Sequence, residues 1–370
     1  MPPERFDAVV VGAGPAGLAT SRELGRRGVR HLVLERGEAV GWSWRHAYDS
    51  LTLHTGKHLS ALPGLGFGRA APLFLPRDAF VDYLEGYARH FGLPVRTGCE
   101  LRRARRSDGD WVLETDAGAI RAGRLVLATG IMANPHRPKI DGEERFGGRV
   151  LHSVEYRRPE PFVGRRVLVV GVGNSAGEIA SELSAAGVAV TLSVRSGANV
   201  MPLRLFGIPI QYWAYAAIRL PRPARARIVR LVGHITELRR GPPVLPRPSV
   251  GPLDAIPLIG FHLVDAIRAG KIDVRGGLTG LTARGARFDD STEVAVDDVL
   301  LATGFRAALG PVRDLIGLDS RGFARRRDRV VAEDAPDLLV VGHNYDATGG
   351  LANIRRDAPR AARLISRSGD

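Results

Sequence analysis

Two glycine-rich fingerprints, Gly12-Ala13-Gly14-Pro15-Ala16-Gly17 and Gly171-Val172-Gly173-Asn174-Ser175-Ala176-Gly177, stand about 160 positions apart in this 370-residue chain. Each comes after an apolar run, FDAVVV at 6–11 and RVLVV at 166–170, and each opens a helical pattern. Glycines placed this way let the backbone turn sharply after a buried strand and let a diphosphate approach a helix N-terminus. A chain built around two such units is confined to the α/β class. The pattern predicts two nested Rossmann-like domains and two bound dinucleotides.

The residues downstream of each fingerprint separate the two ligands. The run at 31–34 ends in Glu35, 18 residues after Gly17, with Arg36 beside it. An acid there accepts hydrogen bonds from a ribose diol. After the second fingerprint, the strand predicted at 188–194 delivers Arg195 and Ser196 instead. An arginine at that place accommodates a 2′-phosphate and favours NADP over NAD; in so basic a chain, a solvated surface arginine is the competing reading.

A second repeated phrase fixes the expected domain plan. Ala128-Thr129-Gly130 and Ala302-Thr303-Gly304 each end an apolar strand, as at a turn where the chain leaves one nucleotide-binding sheet for the other. Residues 1–145 and 300–370 then form one discontinuous domain and 150–299 the inserted one. Residues 201–260 read as an insertion covering the substrate cleft.

Composition removes several function classes. The formal charge of +14 points toward polyanions, yet fifty of the 53 basic residues are arginine, and no basic run is interleaved with stacking aromatics. Nucleic-acid binding is not expected; steering of anionic ligands is. The single cysteine, Cys99, rules out an intramolecular disulfide or a redox pair and reads as a buried packing thiol. Ten scattered histidines offer no metal-ligand spacing. No signal peptide is visible, so the chain is read as cytoplasmic. The most apolar stretch, 205–220, is shorter than the roughly 20 residues of a spanning helix and contains Pro209. It reads as a pocket wall without stable membrane insertion, although interfacial contact stays open. The oligomeric state stays open too.

Taken together, the motifs resemble the class B flavin monooxygenases, and within them the YUCCA-like branch, in an arginine-rich form resembling bacterial members. Phe146-Gly147-Gly148-Arg149-Val150-Leu151-His152-Ser153-Val154-Glu155-Tyr156 fits the FxGxxxHxxxY signature of that class. Tyr48 to Lys57 (YDSLTLHTGK) resembles the segment lining the flavin, Arg247-Pro248-Ser249-Val250-Gly251-Pro252 the proline-rich insertion, and Gly349-Gly350-Leu351 the start of a helix beneath the flavin pyrimidine. The stretch His54-Thr55-Gly56-Lys57 lacks the asparagine that animal-type members carry near the flavin.

The resemblance implies FAD and NADPH as cofactors, with O2 and a small organic molecule as substrates. NADPH reduces FAD, O2 adds at flavin C4a, and the resulting peroxide oxygenates the substrate. Gly12, Ala13, Gly14, Pro15, Ala16, Gly17, Glu35 and Arg36 are then assigned to FAD. Trp42, Trp44, His54, Thr129, Gly130, Thr303, Gly304, Gly350 and Leu351 are placed near the cofactors, and Gly171, Gly173, Asn174, Ser175, Arg195 and Ser196 are assigned to NADPH. Lys57 is the candidate catalytic cation, against a surface lysine; His152 is a candidate catalytic histidine, against a satisfied linker histidine. Trp42 and Trp44 are equally consistent with plain core packing. The YUCCA-like reaction would be oxidative decarboxylation of a 2-oxo acid such as indole-3-pyruvate. The alternatives are N- or S-oxygenation, Baeyer-Villiger insertion, a flavin reductase or oxidase without oxygenation, and a non-catalytic flavin sensor. Pocket shape is expected to depend on 201–260 and on the region of His343, Asn344 and Tyr345.

Overall fold

The apolar run after the N-terminus becomes a buried parallel strand, Glu4–Val11, because Val9 and Val10 are fully enclosed from both faces. A computed structural model describes residues 3–248, 250–251, 253–254, 257–344 and 346–367. Ser249, Pro252 and Tyr345, which belong to segments named above, lie outside the described residues. The chain divides into two units. The first runs through His46 and adds Thr55–Asn134 and Phe305 onward; the second comprises Ala47–His54 and Pro135–Gly304. The short piece 47–54, expected from sequence in the first domain, packs with the second unit, and the crossings fall after Asn134 and Gly304.

In the first unit Glu4–Val11 is flanked in parallel by His31–Leu34 and Gly118–Leu127, with Val10 opposite Val33 and Val126. The sheet continues through Val95–Arg96 on one side and Leu338–Val340 on the other, and Asp110–Thr115 pairs antiparallel with Gly118–Leu127. Val9, Leu34, Leu113, Leu125 and Trp111 form its core, with Cys99 buried among them as a packing thiol. The helix Pro15–Gly25 packs against the helix Gly350–Ser366, whose buried residues Leu351, Ile354, Ala358, Ala361 and Ile365 recur at helical spacing.

The second unit repeats the plan in a five-stranded, wholly parallel sheet. Arg166–Val170 lies between Ala189–Ser193 and Asp298–Leu301, with Ile272–Arg275 and Arg149–His152 at the edges. The fingerprint helix Asn174–Ala185 packs on His262–Arg268. The ends of the 201–260 excursion are joined by a separate two-stranded parallel pair, Val200–Met201 with Leu258–Ile259. They contain a hairpin, Arg204–Leu205 with Ile208–Pro209, and the helices Ile210–Ala217 and Arg222–Arg240. Their own core is small: Met201, Ile210, Val232 and Ile259 are its buried members.

One buried charge holds an edge of this sheet. Asp298 is fully enclosed and accepts two 2.7 Å hydrogen bonds from the Arg149 guanidinium, with Arg165 on the same carboxylate. Burial works to raise the Asp298 pKa, but the two arginines outweigh it and hold the carboxyl below its ordinary value. Because the folded pKa is depressed, its stabilising contribution is complete above the unfolded value, near 3.8, and is lost as pH falls through the folded value. Asp298→Ala should therefore destabilise the chain by about 3 kcal/mol at neutral pH. In urea melts its deficit against the parent should shrink below pH 4. An equal deficit at every pH would show that packing, not the ion pairs, is what the substitution removes.

Candidate dinucleotide-binding sites

Both fingerprints are shaped by the same contact. Gly12 (φ +105°) and Gly171 (φ +117°) occupy backbone conformations that side chains rarely adopt. A Cβ on Gly12 would stand 2.6 Å from the carbonyl oxygen of Ala128, and one on Gly171 would stand 2.5 Å from that of Ala302. The two Ala-Thr-Gly phrases are thus the turns pressed against the first glycine of each fingerprint. Gly17 closes the first turn, since a Cβ there would meet the Gly12 carbonyl oxygen at 1.8 Å. Around Gly14 and Gly173 the space is open, with no atom within 4 Å of a built Cβ.

The helices opened by the fingerprints begin without a side-chain cap: neither Gly14 nor Gly173 can supply one, and none is made. In the first, Pro15 and Ala16 are buried in the opening turn. Unsatisfied N–H groups at a helix N-terminus beside open space are an anion site waiting for its acceptor. The residues present fit a dinucleotide diphosphate in both units.

Glu35 is buried, and its carboxylate oxygens accept from the N–H of Ala13 (2.8 Å) and of Gly37 (2.9 Å). Each oxygen keeps a lone pair for a ribose hydroxyl. Arg36 is exposed beside it. Trp42 and Trp44 lie on the short helix Trp42–Arg45, half-buried; Trp42 packs on His46 and over Gly37, and Trp44 meets the edge of Phe80. Gly350 and Leu351 do open a helix, with Thr55 against its N-cap, Gly349. That helix is anchored by Arg329, which donates to Asp357 and Asn353 at 2.8 Å each, while Asn344 donates to Asp357 as well. His343, beside Asn344, is buried, and burial together with Arg326 pulls its pKa down to about 4.

In the second unit Arg195 and Ser196 are exposed just past the strand end, the Arg195 stem lying on Gly277. Ser175 stands at the helix start, against the Tyr48 hydroxyl. Asn174 needs correcting as a nucleotide-binding side chain: its amide donates to the Pro257 carbonyl (3.2 Å) and accepts from the Ile259 N–H (2.8 Å), stapling the end of the 201–260 excursion.

Both candidate catalytic residues have structural employment. The Lys57 ammonium donates to the carbonyls of Gly68, Arg69 and Ala71 at 3.0, 3.0 and 2.6 Å, using all three of its protons to clamp one loop. It is therefore not a cation held ready for a reacting oxygen. His152 is fully buried; Nε2 lies 3.1 Å from the Gly304 carbonyl, and Nδ1 accepts the Val154 N–H at 3.2 Å. Burial lowers its pKa. A neutral ring with both nitrogens committed fixes the second Ala-Thr-Gly turn; it does not relay protons. Beside that turn, Thr303 donates to the His136 carbonyl at 2.5 Å, and in the first unit Thr129 donates to that of Ala308 at 2.7 Å.

Sequence reasoning missed a polar array on the second fingerprint helix. Glu178 accepts from the Tyr48 hydroxyl and also meets His54 Nε2, and one turn later Glu182 accepts from Tyr156 at 2.9 Å. His54, read as a flavin contact, is thus tied to the nucleotide helix of the second unit. Burial, and then the Glu178 carboxylate, push the Tyr48 phenol up, so it remains a proton donor; Tyr156 is raised in the same way by burial and Glu182. Two acids at i and i+4, with Asn174, Ser175 and Ser181 on the same side of the helix, were the available signal.

These features define an oxidoreductase scaffold with two dinucleotide sites. The family model described as pyridine nucleotide-disulphide oxidoreductase matches residues 9–201. The chain is 37% identical over 311 residues to indole-3-pyruvate monooxygenase YUCCA1 of Oryza sativa, covering 81% of this chain and 77% of that one. It is 33% identical to the probable indole-3-pyruvate monooxygenase YUCCA1 of Arabidopsis thaliana, covering 81% and 75%. Among solved structures, a flavin-containing monooxygenase from Stenotrophomonas maltophilia superposes with a TM-score of 0.78 at 23% identity over 99% of this chain and 100% of that chain, a likeness of fold. The chain belongs to the class B flavin monooxygenases, alongside the YUCCA-type members.

With Lys57 acting as a clamp, Lys57→Met should lower stability by about 1–2 kcal/mol through the freed carbonyls. The rate of flavin reduction by NADPH should stay within about twofold of the parent. A drop of a hundredfold or more in that rate, with the melting temperature unchanged, would return Lys57 to the reaction.

Proposed function

We propose that this chain catalyses oxidative decarboxylation of an aryl 2-oxo acid of the indole-3-pyruvate type. As a class B flavin monooxygenase it uses FAD and NADPH, with O2 and a small organic substrate. The balanced reaction consumes the 2-oxo acid, O2, NADPH and a proton and yields the shortened carboxylic acid, CO2, water and NADP+. The observation that carries the substrate class is the 37% identity to the rice indole-3-pyruvate monooxygenase across four-fifths of the chain.

FAD, when bound, supplies the electron transfer between NADPH and O2 and the activation of O2. The chain's own residues bind and orient. In this reading the N–H groups opening Pro15–Gly25 hold the FAD diphosphate while Glu35 accepts from its ribose hydroxyls. The N–H groups of Asn174 and Ser175 hold the NADPH diphosphate, and Arg195 pairs with the 2′-phosphate. Glu178, with Tyr48 and His54, fixes the helix that presents those groups. A dithiol relay through this chain is excluded, because Cys99 is its only cysteine. The setting we assign is the cytoplasm, a reducing compartment in which a free thiol such as Cys99 persists.

Purified protein should carry FAD, be reduced faster by NADPH than by NADH, and convert indole-3-pyruvate to indole-3-acetate and CO2 when O2 is admitted. Reduction with release of hydrogen peroxide alone, and no product from any 2-oxo acid, would sink the proposal. Arg195→Ala should raise KM for NADPH by about 10- to 100-fold, a loss of about 1.4–2.8 kcal/mol, while leaving KM for NADH unchanged. Equal effects on both coenzymes would show that Arg195 does not read the 2′-phosphate. Gly12→Val should abolish FAD retention, whereas Gly171→Val should retain FAD and lose reduction by NADPH.

A further inference from the structure

The 201–260 excursion displays apolar side chains outward. Of the eleven large hydrophobic residues that are exposed among the described residues, nine fall between Phe206 and Val250. The helix Arg222–Arg240 turns Val229 and Val232 toward the small core of the excursion. Its outer stripe is formed by Arg227, Arg230, Leu231, His234 and Leu238, all exposed and spaced at three and four residues. Leu231 is 58% exposed and Leu238 73%. Stable water-facing helices do not ordinarily carry leucines on the stripe farthest from their core.

Beside that helix the hairpin Arg204–Leu205/Ile208–Pro209 is closed by Phe206 and Gly207, both at positive φ (52° and 77°). A two-residue turn of this kind favours Asn-Gly, and a bulky residue in the left-handed region is strained. Here the strained position holds a phenylalanine that is 74% exposed. Trp213 and Tyr215, also exposed, come next on the helix Ile210–Ala217.

Charge selects the occupant of this surface. Residues 204–240 contain eight arginines and one acid, Glu237, which is bound by Arg247 at 2.9 Å; Arg222 and Arg240 pair with Asp254 and Asp265, so the surface keeps a net positive charge carried mainly by the other arginines. A second copy would bring the same positive field against its own. A nucleic acid would match the arginines but leave Leu231, Leu238 and Phe206 in water. Aromatic and leucine side chains among arginines match the boundary of an anionic bilayer, which takes apolar groups below the headgroups and pairs the guanidinium groups with phosphate. No helix among the described residues is long and apolar enough to cross a membrane, so the contact is one that lies on the surface.

We propose that residues 204–240 form a peripheral membrane-binding surface for anionic phospholipid, with the Phe206 hairpin tip and the Leu231/Leu238 stripe as its inserted elements. The test is flotation of the FAD-loaded protein with phosphatidylcholine vesicles made with and without phosphatidylglycerol. Partitioning onto the anionic vesicles should be at least about tenfold stronger, fall with salt, and produce a blue shift of tryptophan emission that Trp213→Phe removes. Leu231→Ser/Leu238→Ser and Arg227→Glu/Arg230→Glu should each weaken partitioning by about tenfold or more. FAD content and melting temperature, measured on the same samples, confirm that the variants are folded. Since Phe206→Ser removes only an exposed side chain from a strained turn, it provides a second variant that does not touch the helix. The proposal is overturned if the parent protein does not float with anionic vesicles, or if these variants float as well as the parent. It is also overturned if the same substitutions abolish self-association or duplex DNA binding while vesicle binding is absent.

Discussion

The contact between a backbone carbonyl and the first glycine of each fingerprint is the constraint on which this architecture rests. With Gly12 against Ala128 and Gly171 against Ala302, strand, turn, helix and third strand are locked together at one point. No side chain fits there, so the chain must change direction at that residue and the helix must start a step later. The helix then begins without a side-chain cap, because the residue in the capping position is itself a glycine and has no side chain to supply one. Local stability is given up at the place where a diphosphate can restore it. Two equivalent sites arise because the same geometric conflict is solved twice.

The two units nevertheless support their helices differently. In the first, the helix Pro15–Gly25 is held mainly by apolar contact with Gly350–Ser366. In the second, the helix Asn174–Ala185 carries Glu178 and Glu182, each satisfied by a tyrosine hydroxyl, and Asn174 reaches forward to Pro257 and Ile259. Buried polar groups of this kind add little net stability, but they are costly to leave unpaired and so specify one position. Segment 47–54 is thereby fixed to the nucleotide helix through Tyr48 and His54, although in sequence it comes directly after the first unit's opening strands and helices.

Much of the frame was legible because it obeys local rules. The strand at 31–34, the glycine turns and Glu35 at its end come from apolar runs and glycine spacing, which act over a few residues, whereas the helix beginning at Gly350 was expected from the family resemblance alone. The illegible part depends on partners distant in the chain. Lys57 looked free because nothing in its neighbourhood announces that the carbonyls at 68–71 converge on it. His152 was open to both a catalytic and a satisfied-linker reading, because its acceptor, Gly304, lies 152 positions away. Asn174 sits where a nucleotide contact is expected, yet its amide is spent on a strand that returns only after the whole 201–260 excursion.

With Lys57 and His152 held in structural roles, neither residue singled out for catalysis stands poised as acid, base or nucleophile, and this is consistent with the family. Where a bound cofactor performs the bond changes, the protein's contribution is geometry, which the proposed reading assigns to helix ends, a carboxylate at a strand end and an arginine past another. Such a scaffold places few demands on residues away from the fingerprints. The excursion at 201–260 shows the result, since its two ends are joined by one short parallel pair separate from the main sheet and it is supported by only a handful of buried side chains. A segment so lightly cored can alter its outer face without disturbing either glycine turn, and so its surface can answer to a different partner from the one the nucleotide sites serve.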